Sequence, residues 1–163
     1  WPSSGDGLRA YRDFLIMSEN GDVIGRSLSY WLIMNIQTRR PARIPKDILE
    51  MAPDDTKHVL PIASNRYSDL DQVDYSMEFE VRKTDLDLNR HVNNVRFIEW
   101  ILSCLPDDAA ISEIDIQFVA ESIMGDTDVA EAKEQPANEN RQTFHHQIRR
   151  SSDDKILAKA ISC

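Results

Sequence analysis

The sequence predicts an α+β protein in which one apolar helix packs against an antiparallel sheet. Three observations predict this fold class. Residues 75–82 alternate apolar and polar side chains, residues 93–106 repeat apolar side chains at helical spacing, and four strand-like segments follow with no further helix between them. A lone apolar helix followed by consecutive strands buries its apolar surface best by lying on a face of the sheet.

The N-terminal segment predicts a long antiparallel hairpin. Residues 9–17 and 26–39 are strand-like, and the pair Asn20-Gly21 between them accepts the positive φ angles of a tight turn. The second arm carries large apolar side chains that are typical of a half-buried sheet, namely Trp31, Ile33 and Ile36.

The segment after the hairpin predicts a connector. Residues 40–76 contain four of the seven prolines and many acidic residues, and they show little periodicity. A short helix is expected within residues 45–53. We therefore expect strands of a first unit at residues 1–45, a connector at 46–70 and a second unit at 71–163.

The second unit predicts a strand, a polar loop and a helix, in that order. The strand is expected to bury Tyr75, Met77, Phe79 and Val81. Phe97 and Trp100 widen the apolar stripe of the helix, so we expect it to be buried on most sides. Asn93 or Asn94 can cap its start, and Pro106 ends it.

Strand candidates after the helix predict an antiparallel meander. They span residues 113–120, 126–133, 142–150 and 155–162. Turns are expected at Gly125-Asp126, at residues 136–140 and at residues 151–154, because turn-forming residues cluster there.

Composition and charge exclude several classes of protein. No run of eighteen apolar residues exists, so no membrane span is predicted, and a net charge of −9 disfavours general nucleic-acid binding. Cys104 and Cys163 are too few for a disulfide framework, which favours a reducing compartment. No secretory signal is visible at the start of the chain. The chain does not open with Met, so we expect further residues upstream of Trp1.

The polar loop DLDLNRHVNN, residues 85–94, is the candidate site. If the loop is extended, Asp87, Asn89 and His91 lie on one side, and Leu88 and Val92 are available for burial. Free N–H groups at the start of the following helix favour negative charge, as hydrolysis of an ester or thioester requires. Spacing alone is more typical of turn and capping chemistry than of catalysis.

No metal or cofactor signature accompanies this loop. His58 and the pair His145-His146 have no ligand-like spacing to His91, and adjacent strand residues point to opposite faces. The sequence lacks a G-x-S-x-G elbow, a P-loop and a dinucleotide fingerprint. We therefore expect a site without a metal or a cofactor.

Residues 85–106, DLDLNRHVNNVRFIEWILSCLP, closely resemble the active-site loop and central helix of the acyl-acyl-carrier-protein (acyl-ACP) thioesterases, which end fatty-acid synthesis in plant plastids and also occur in bacteria. Two further stretches are similar to this family: IDIQFVAESIMGD, whose counterpart strand carries a Glu, and WLIMNIQTRRPARIP. The resemblance implies tandem hot-dog lobes, each a helix wrapped by a curved antiparallel sheet. It also implies that residues 1–45 are the last strands of a first lobe that is only partly present.

The resemblance implies roles for individual residues. Asp87, Asn89 and His91 would be catalytic, with Asn89 holding the thioester carbonyl, and Glu121 would be a further acid–base or water-orienting group. Many members of the family have Cys after that Glu, whereas this chain has Ser122. A serine without an adjacent strong base is a poor nucleophile, so direct attack by water is favoured. Which of Asp87, His91 and Glu121 is the general base stays open.

A basic segment lies at the start of the connector. Its cations are Arg39, Arg40, Arg43 and Lys46, and no acidic residue interrupts them. Such a segment is often a solvated loop, but acyl carrier protein is strongly acidic, so the resemblance favours docking of this partner. The stretch VAES, residues 119–122, favours a bacterial, cytoplasmic protein; a plant member would be expected in the plastid.

Two other functions stay open. An acyl-coenzyme A (acyl-CoA) thioesterase of the hot-dog superfamily would act on the same pantetheine arm, but tandem lobes with a basic connector favour the carrier protein. A non-catalytic acyl-binding domain would not need the D-x-N-x-H set with a distant Glu. The sequence also leaves open whether the chain forms a homodimer.

Overall fold

The chain forms two compact units, Trp1–Ser64 and Asn65–Cys163. A computed structural model describes residues 1–3, 5–38, 40–51, 57–62, 67–138 and 141–163. None of the helices in these ranges has both the length and the apolar character that crossing a membrane requires.

The first unit contains a four-stranded antiparallel sheet. Its strands, in spatial order, are β1 (Pro2–Ser3), β2 (Arg9–Met17), β3 (Val23–Met34) and β4 (Pro41–Ala42). The predicted hairpin is confirmed, because β2 and β3 pair through a turn in which Gly21 has a φ of 88°, a conformation that favours glycine. The expected short helix is also confirmed as α1 (Lys46–Leu49).

The second arm of the hairpin is more exposed than expected. Trp31 is 59% exposed and Ile36 is 89% exposed, so the prediction of a half-buried sheet is wrong for these side chains. The reason is that the described part of the first unit contains only the one-turn helix α1, which is too short to cover a face of this sheet.

A buried carboxylate ties a later segment to this sheet. Asp13, on β2, is fully buried. It accepts hydrogen bonds from the Ser3 hydroxyl and from the backbone N–H of Val59 (2.8 Å), and one of its oxygens lies 3.0 Å from Nδ1 of His58. Burial raises the pKa of Asp13, but the three partners lower it more, so the pKa falls below its ordinary value. The ionised carboxylate therefore holds residues 58 and 59 against β2.

The second unit is one helix on a five-stranded antiparallel sheet, so the predicted α+β class is confirmed. Its elements, in chain order, are β5 (Tyr75–Glu80), a 3-10 helix (Lys83–Asp85), α2 (Asn94–Ser103), β6 (Ile114–Phe118), β7 (Thr127–Asn138), β8 (Arg141–Arg150) and β9 (Ile156–Ser162). The spatial order of the strands is β5-β7-β8-β9-β6.

The meander contains three strands rather than the predicted four. Strands β7, β8 and β9 are consecutive neighbours, but β6 pairs with β9 at the far edge, where Ile114 lies opposite Ser162. The helix α2 connects β5 at one edge to β6 at the other, so β6 cannot be adjacent to β7 in space. Strand β7 also continues through Pro136 to Asn138, so the expectation of a turn is wrong at 136–138; residues 139 and 140 lie outside the described residues.

One face of α2 forms the core of the second unit. Phe97, Trp100 and Ile101 are buried, and they pack with small strand residues, namely Ala130, Ala132, Ala158 and Ala160. The alanines leave room for the large helix side chains at the close packing typical of protein interiors. Val95 (57% exposed) and Leu102 (40% exposed) face away. The prediction of a helix buried on most sides is therefore wrong, because a single sheet covers a single face of a helix.

Candidate active site

The polar loop at residues 85–94 is a tight turn rather than an extended segment. The backbone N–H of Asp87 donates to the carbonyl of His91 (2.8 Å), and the N–H of Arg90 donates to the carbonyl of Asp87 (3.1 Å). Arg90 has a φ of 64°, in the left-handed region that tight turns use. The predicted alternation of side chains along an extended loop is therefore wrong.

The carboxylate of Asp87 explains this turn. Its Oδ1 accepts the backbone N–H groups of Asn89 (2.8 Å) and His91 (3.1 Å), and the side-chain amide of Asn89 donates to Oδ2 (3.4 Å). Burial raises the pKa of Asp87, but these hydrogen bonds lower it more, so the pKa falls below its ordinary value. Aspartate commonly stabilises turns through such local bonds. As a result Leu88 lies at an exposed tip, contrary to the expectation that it would be buried, whereas Val92 is buried as expected.

The loop leads directly into α2. The side chain of Asn93 accepts the N–H of Val95 (3.1 Å), which confirms the predicted cap. The backbone N–H of Asn93 also donates to the carbonyl of Asp85 (2.8 Å), so the loop is closed at its base. Asn94 therefore begins the helix at the positive end of its dipole.

Backbone pairing brings His91 next to Glu121. His91 forms an antiparallel β-bridge with Ile123, and the N–H of Val92 donates to the carbonyl of Ser122 (2.9 Å). Nε2 of His91 then lies 3.5 Å from Oε2 of Glu121. Two titratable side chains that are far apart in the sequence are thus neighbours, as a pair used in proton transfer must be.

His91 and Glu121 share a pocket of about 270 Å³. Its polar lining also includes Asp87 and Asn94, and its apolar lining is Val92, Phe97, Phe118, Val119 and Ala120. The side chains of His91 and Glu121 are 30% and 51% exposed, so a substrate can reach both. A pocket that combines an acid–base pair with an apolar wall suits an ester or thioester of an apolar acid.

Two residues singled out by the sequence lie outside this pocket lining. Asn89 is exposed at the turn, and its amide group is directed at Asp87. Ser122 is completely buried, and its hydroxyl donates to the carboxylate of Asp126 (3.2 Å). The structure therefore brings together Asp87, His91 and Glu121, with Asn89 behind Asp87.

Sequence reasoning missed the apolar wall and the side chain that anchors Glu121. Phe118 and Val119 directly precede the Ala120-Glu121 pair, and this proximity is a signal that could have identified them. A guanidinium N–H of Arg150 donates to the main-chain carbonyl of Glu121 (2.7 Å). No spacing rule connects the end of β8 with this loop, so the sequence carried no signal for that contact.

The basic segment lies in the first unit. Arg40 and Arg43 are exposed, and Lys46 is exposed and forms an ion pair with Glu50 (3.3 Å). Arg39 lies outside the described residues. The docking role of these four cations stays a prediction.

The other histidines are not part of the pocket lining. His145 and His146 lie on opposite faces of β8, as predicted, and Nε2 of the buried His146 is 2.7 Å from the Ser162 hydroxyl. Burial, together with the charge of His145, lowers the pKa of His146 to about 4, so His146 is neutral at physiological pH. Within the ranges that the structure describes, no three His, Cys, Asp or Glu side chains are arranged to hold a metal ion.

Replacing Asp87 by alanine is expected to loosen the turn. Two backbone N–H groups lose their acceptor, so the amide protons of Asn89 and His91 should exchange with solvent about tenfold faster, equivalent to about 1.4 kcal/mol of lost protection. Asp87→Asn keeps one acceptor oxygen and should have a smaller effect. Hydrogen exchange followed by NMR measures both variants. Unchanged exchange in Asp87→Ala would show that the carboxylate does not hold the turn.

Comparison with known protein families matches both units. Residues 67–162 match the acyl-ACP thioesterase C-terminal domain, and residues 1–52 match the acyl-ACP thioesterase N-terminal domain. Among curated proteins, the chain is 34% identical over 119 residues to oleoyl-acyl carrier protein thioesterase 1 of Arabidopsis thaliana, a chloroplastic protein. That alignment covers 66% of this chain and 33% of the relative. The chain thus spans about a third of the length of this relative.

Solved structures share the fold. An acyl-ACP thioesterase from Bacteroides thetaiotaomicron superposes with a TM-score of 0.83 at 23% identity, covering 99% of this chain and 65% of the other. The 12:0-ACP thioesterase from Umbellularia californica gives 0.84 at 22% identity, with 99% and 63% covered. The predicted hot-dog fold is therefore confirmed.

Proposed function

The chain belongs to the acyl-ACP thioesterase family, and from this premise we propose that it hydrolyses the thioester of a fatty acyl-acyl carrier protein and releases the free fatty acid. The observation that carries the proposal is the separation of 3.5 Å between His91 Nε2 and Glu121 Oε2 in a pocket with an apolar wall. Proton transfer next to an apolar acyl site is the chemistry that thioester hydrolysis needs. This reaction terminates fatty-acid synthesis.

Asn89, to which the resemblance gave the role of holding the thioester carbonyl, has its amide directed at Asp87, so we assign this role to the start of α2. Asn94 lines the pocket at the N-terminus of that helix, where N–H groups and the helix dipole stabilise the oxyanion that forms when the carbonyl is attacked. The acyl chain extends along the apolar wall that Phe97, Phe118 and Val119 provide.

His91 and Glu121 activate a water molecule. As the water oxygen attacks the carbonyl carbon, the pair takes its proton, and the tetrahedral intermediate then collapses with cleavage of the C–S bond. The thiolate of the pantetheine arm leaves, and the proton held by the pair neutralises it. Asp87 fixes the backbone at His91, and Asn89 in turn holds the Asp87 carboxylate.

Direct attack by water is favoured over a covalent intermediate. The position at which many family members carry Cys is Ser122 in this chain, and that residue is completely buried. Its hydroxyl donates to the carboxylate of Asp126 inside the protein, so it is not accessible to a substrate as a nucleophile would have to be.

The relative activity on acyl-ACP and on acyl-CoA distinguishes this proposal from its alternatives. We would measure thiol release from long-chain acyl-ACP and acyl-CoA in parallel with the purified chain. Faster hydrolysis of acyl-ACP, as kcat/KM, is the expected result. Activity on acyl-CoA alone would favour the acyl-CoA thioesterase, and acyl binding without hydrolysis of either substrate would favour a non-catalytic domain.

The basic segment docks the acidic carrier protein in this proposal. Arg40 and Arg43 are exposed cations on a chain whose net charge is −9, so they provide a local positive field for an anionic partner. Lys46 forms an ion pair with Glu50, which offsets its positive charge and makes its contribution to this field smaller. Arg39 completes the proposed patch.

Reversing two of these charges is expected to weaken carrier binding selectively. The variant Arg40→Glu/Arg43→Glu should raise KM for acyl-ACP about tenfold at low salt, because attraction becomes repulsion, and the effect should shrink as salt is added. KM for an uncharged acyl-pantetheine thioester should not change. Steady-state kinetics at two salt concentrations test this, and an unchanged KM for acyl-ACP at low salt would refute docking at this segment.

The proposed location follows the proposed function. We place the chain in a bacterial cytoplasm, where acyl carrier protein is available, or in a plastid if its source is a plant. The name of the Arabidopsis relative assigns that protein to the chloroplast.

A further inference from the structure

Residues 121–126 form the loop that carries Glu121, and the same loop pairs with the segment that contains His91. The backbone at residues 122 and 123 makes the contacts with Val92 and His91. Any shift of this loop therefore moves the Glu121 carboxylate relative to the His91 ring. The geometry of the acid–base pair depends on what holds the loop.

Arg150 makes contacts at both ends of this loop. One guanidinium N–H donates to the carbonyl of Glu121 (2.7 Å), and Nε lies 3.0 Å from the carboxylate of Asp126. A third nitrogen, Nη1, lies 3.3 Å from Asp153, in the turn that follows β8. The Arg150 side chain is only 18% exposed, so these contacts are largely shielded from solvent.

Asp126 passes this restraint to the middle of the loop. The same oxygen that faces Arg150 accepts the hydroxyl of Ser122 (3.2 Å) and the N–H of Ile123 (3.1 Å). Gly125, with a φ of 89°, allows the chain to reverse direction between these groups. The residues that contact Val92 and His91 are therefore the same ones that the Asp126–Arg150 pair holds.

We infer that Arg150 is a positioning residue that sets the distance between Glu121 and His91, an inference that rests on the proposed thioesterase function. Arg150 is not part of the pocket lining, so it acts through the main chain of Glu121 and through Asp126. A planar guanidinium has several N–H donors in a fixed arrangement, so it can hold two groups at once, whereas the ammonium group of a lysine is a single point of charge. Ser122, in the position of the family's Cys, is part of this support.

Arg150→Met is expected to lower kcat about 100-fold and to leave KM within a factor of about three, since misplacement of a catalytic group by about 1 Å costs that much. The methionine keeps the apolar stem and removes all three polar contacts. Arg150→Lys keeps a positive charge near Asp126 but loses the contact with the Glu121 carbonyl, so its kcat should lie between those of Arg150→Met and the wild type. Asp153→Asn is the matched control, because it disturbs only the outermost contact of the same guanidinium.

A double-mutant cycle with Glu121→Gln separates positioning from general destabilisation. If Arg150 acts through Glu121, Arg150→Met should not slow the Glu121→Gln enzyme further. Losses that multiply in the double variant, or wild-type kcat in both Arg150 variants, would overturn the inference. If Arg150→Met fails to fold, Arg150→Lys is used in the same cycle and the same outcomes decide.

The ring signals of His91 in NMR spectra provide a readout that does not need activity. In Arg150→Met they should move towards their positions in Glu121→Gln, because in both variants the carboxylate no longer faces the ring. Signals that stay at the wild-type positions would overturn the inference. An inactive wild-type chain would overturn the proposed function alone, and the NMR comparison would still test whether Arg150 sets this contact.

Discussion

Replacing His91 by glutamine is expected to lower kcat for acyl-ACP hydrolysis by about 10²- to 10⁴-fold, the usual contribution of a positioned acid or base. The imidazole lies 3.5 Å from Glu121 in the pocket, and glutamine keeps polarity and approximate size but cannot accept and return a proton. KM should change little, because the apolar wall that holds the acyl chain is intact.

Glutamine at position 121 should produce a loss of similar size. Glu121→Gln removes the other half of the pair, and the double variant should be about as slow as either single variant, because residues that act as a unit are strongly non-additive. Single-turnover measurements with labelled acyl-ACP would measure the chemical step separately from carrier release.

Matched controls are available in the same unit. His145→Gln changes a partly exposed histidine on the other face of β8 from the buried His146, and Glu113→Gln changes an exposed glutamate that pairs with Arg141. Both should retain kcat within a factor of about two, as surface substitutions usually do. A His91→Gln variant that retains kcat would refute the proposed mechanism, and so would controls that lose as much as the site variants.

Local sequence signals predicted the elements of this fold well. The Asn20-Gly21 turn, the Asn93 cap and the Gly125 turn each depend on the backbone preferences of one or two residues, so they are legible without tertiary information. The position of β6 depends instead on how the helix connects the two edges of the sheet. No local pattern encodes that connection.

Burial was predicted less well because it depends on what packs nearby. Val95 and Trp100 both belong to the apolar pattern of the helix, but Val95 is exposed and Trp100 is buried in the core. The same limit applies to the candidate site. The family resemblance predicted roles for Asp87, His91 and Glu121, but an extended loop was expected where the carboxylate of Asp87 folds a turn. The turn forms because the Asp87 side chain accepts backbone N–H groups that an extended segment would leave for another strand, and residue spacing does not reveal such a bond.

Asp128 is a buried acid that no sequence pattern distinguished from its neighbours. It lies on β7 opposite Arg150, and it is fully buried. Within the part of the chain that the structure describes, neither of its oxygens has a hydrogen-bond partner of ordinary geometry. Burial raises the pKa of Asp128 from 3.8 to about 6; the Ser122 hydroxyl and Arg150 lower it in part, and Asp126 raises it.

Asp128→Asn is expected to stabilise the second unit at pH 7.5 by about 2–3 kcal/mol. The pKa of the Asp128 carboxyl is raised from 3.8 to about 6, and each tenfold change in proton affinity corresponds to about 1.4 kcal/mol. The folded state binds the Asp128 proton more tightly than the unfolded state does. The stability that this proton contributes is therefore fully present below pH 3.8 and is lost as the pH rises through about 6. Asparagine has the shape of the acid without its charge, so it removes the loss at high pH. The gain should therefore shrink as the pH falls to 4.5.

Urea unfolding at pH 7.5, 6 and 4.5 measures this effect, with Trp100 as the fluorescent probe of the second unit. Trp1→Phe and Trp31→Phe in the background remove the other two tryptophans, both of which lie in the first unit. The exposed Asp107→Asn is the matched control and should change the free energy of unfolding by less than about 0.5 kcal/mol. A gain for Asp128→Asn that is the same at all three pH values would mean that its packing matters and its charge does not. A loss at pH 7.5 would show that the ionised carboxylate stabilises the fold, through Arg150 across the strand pair.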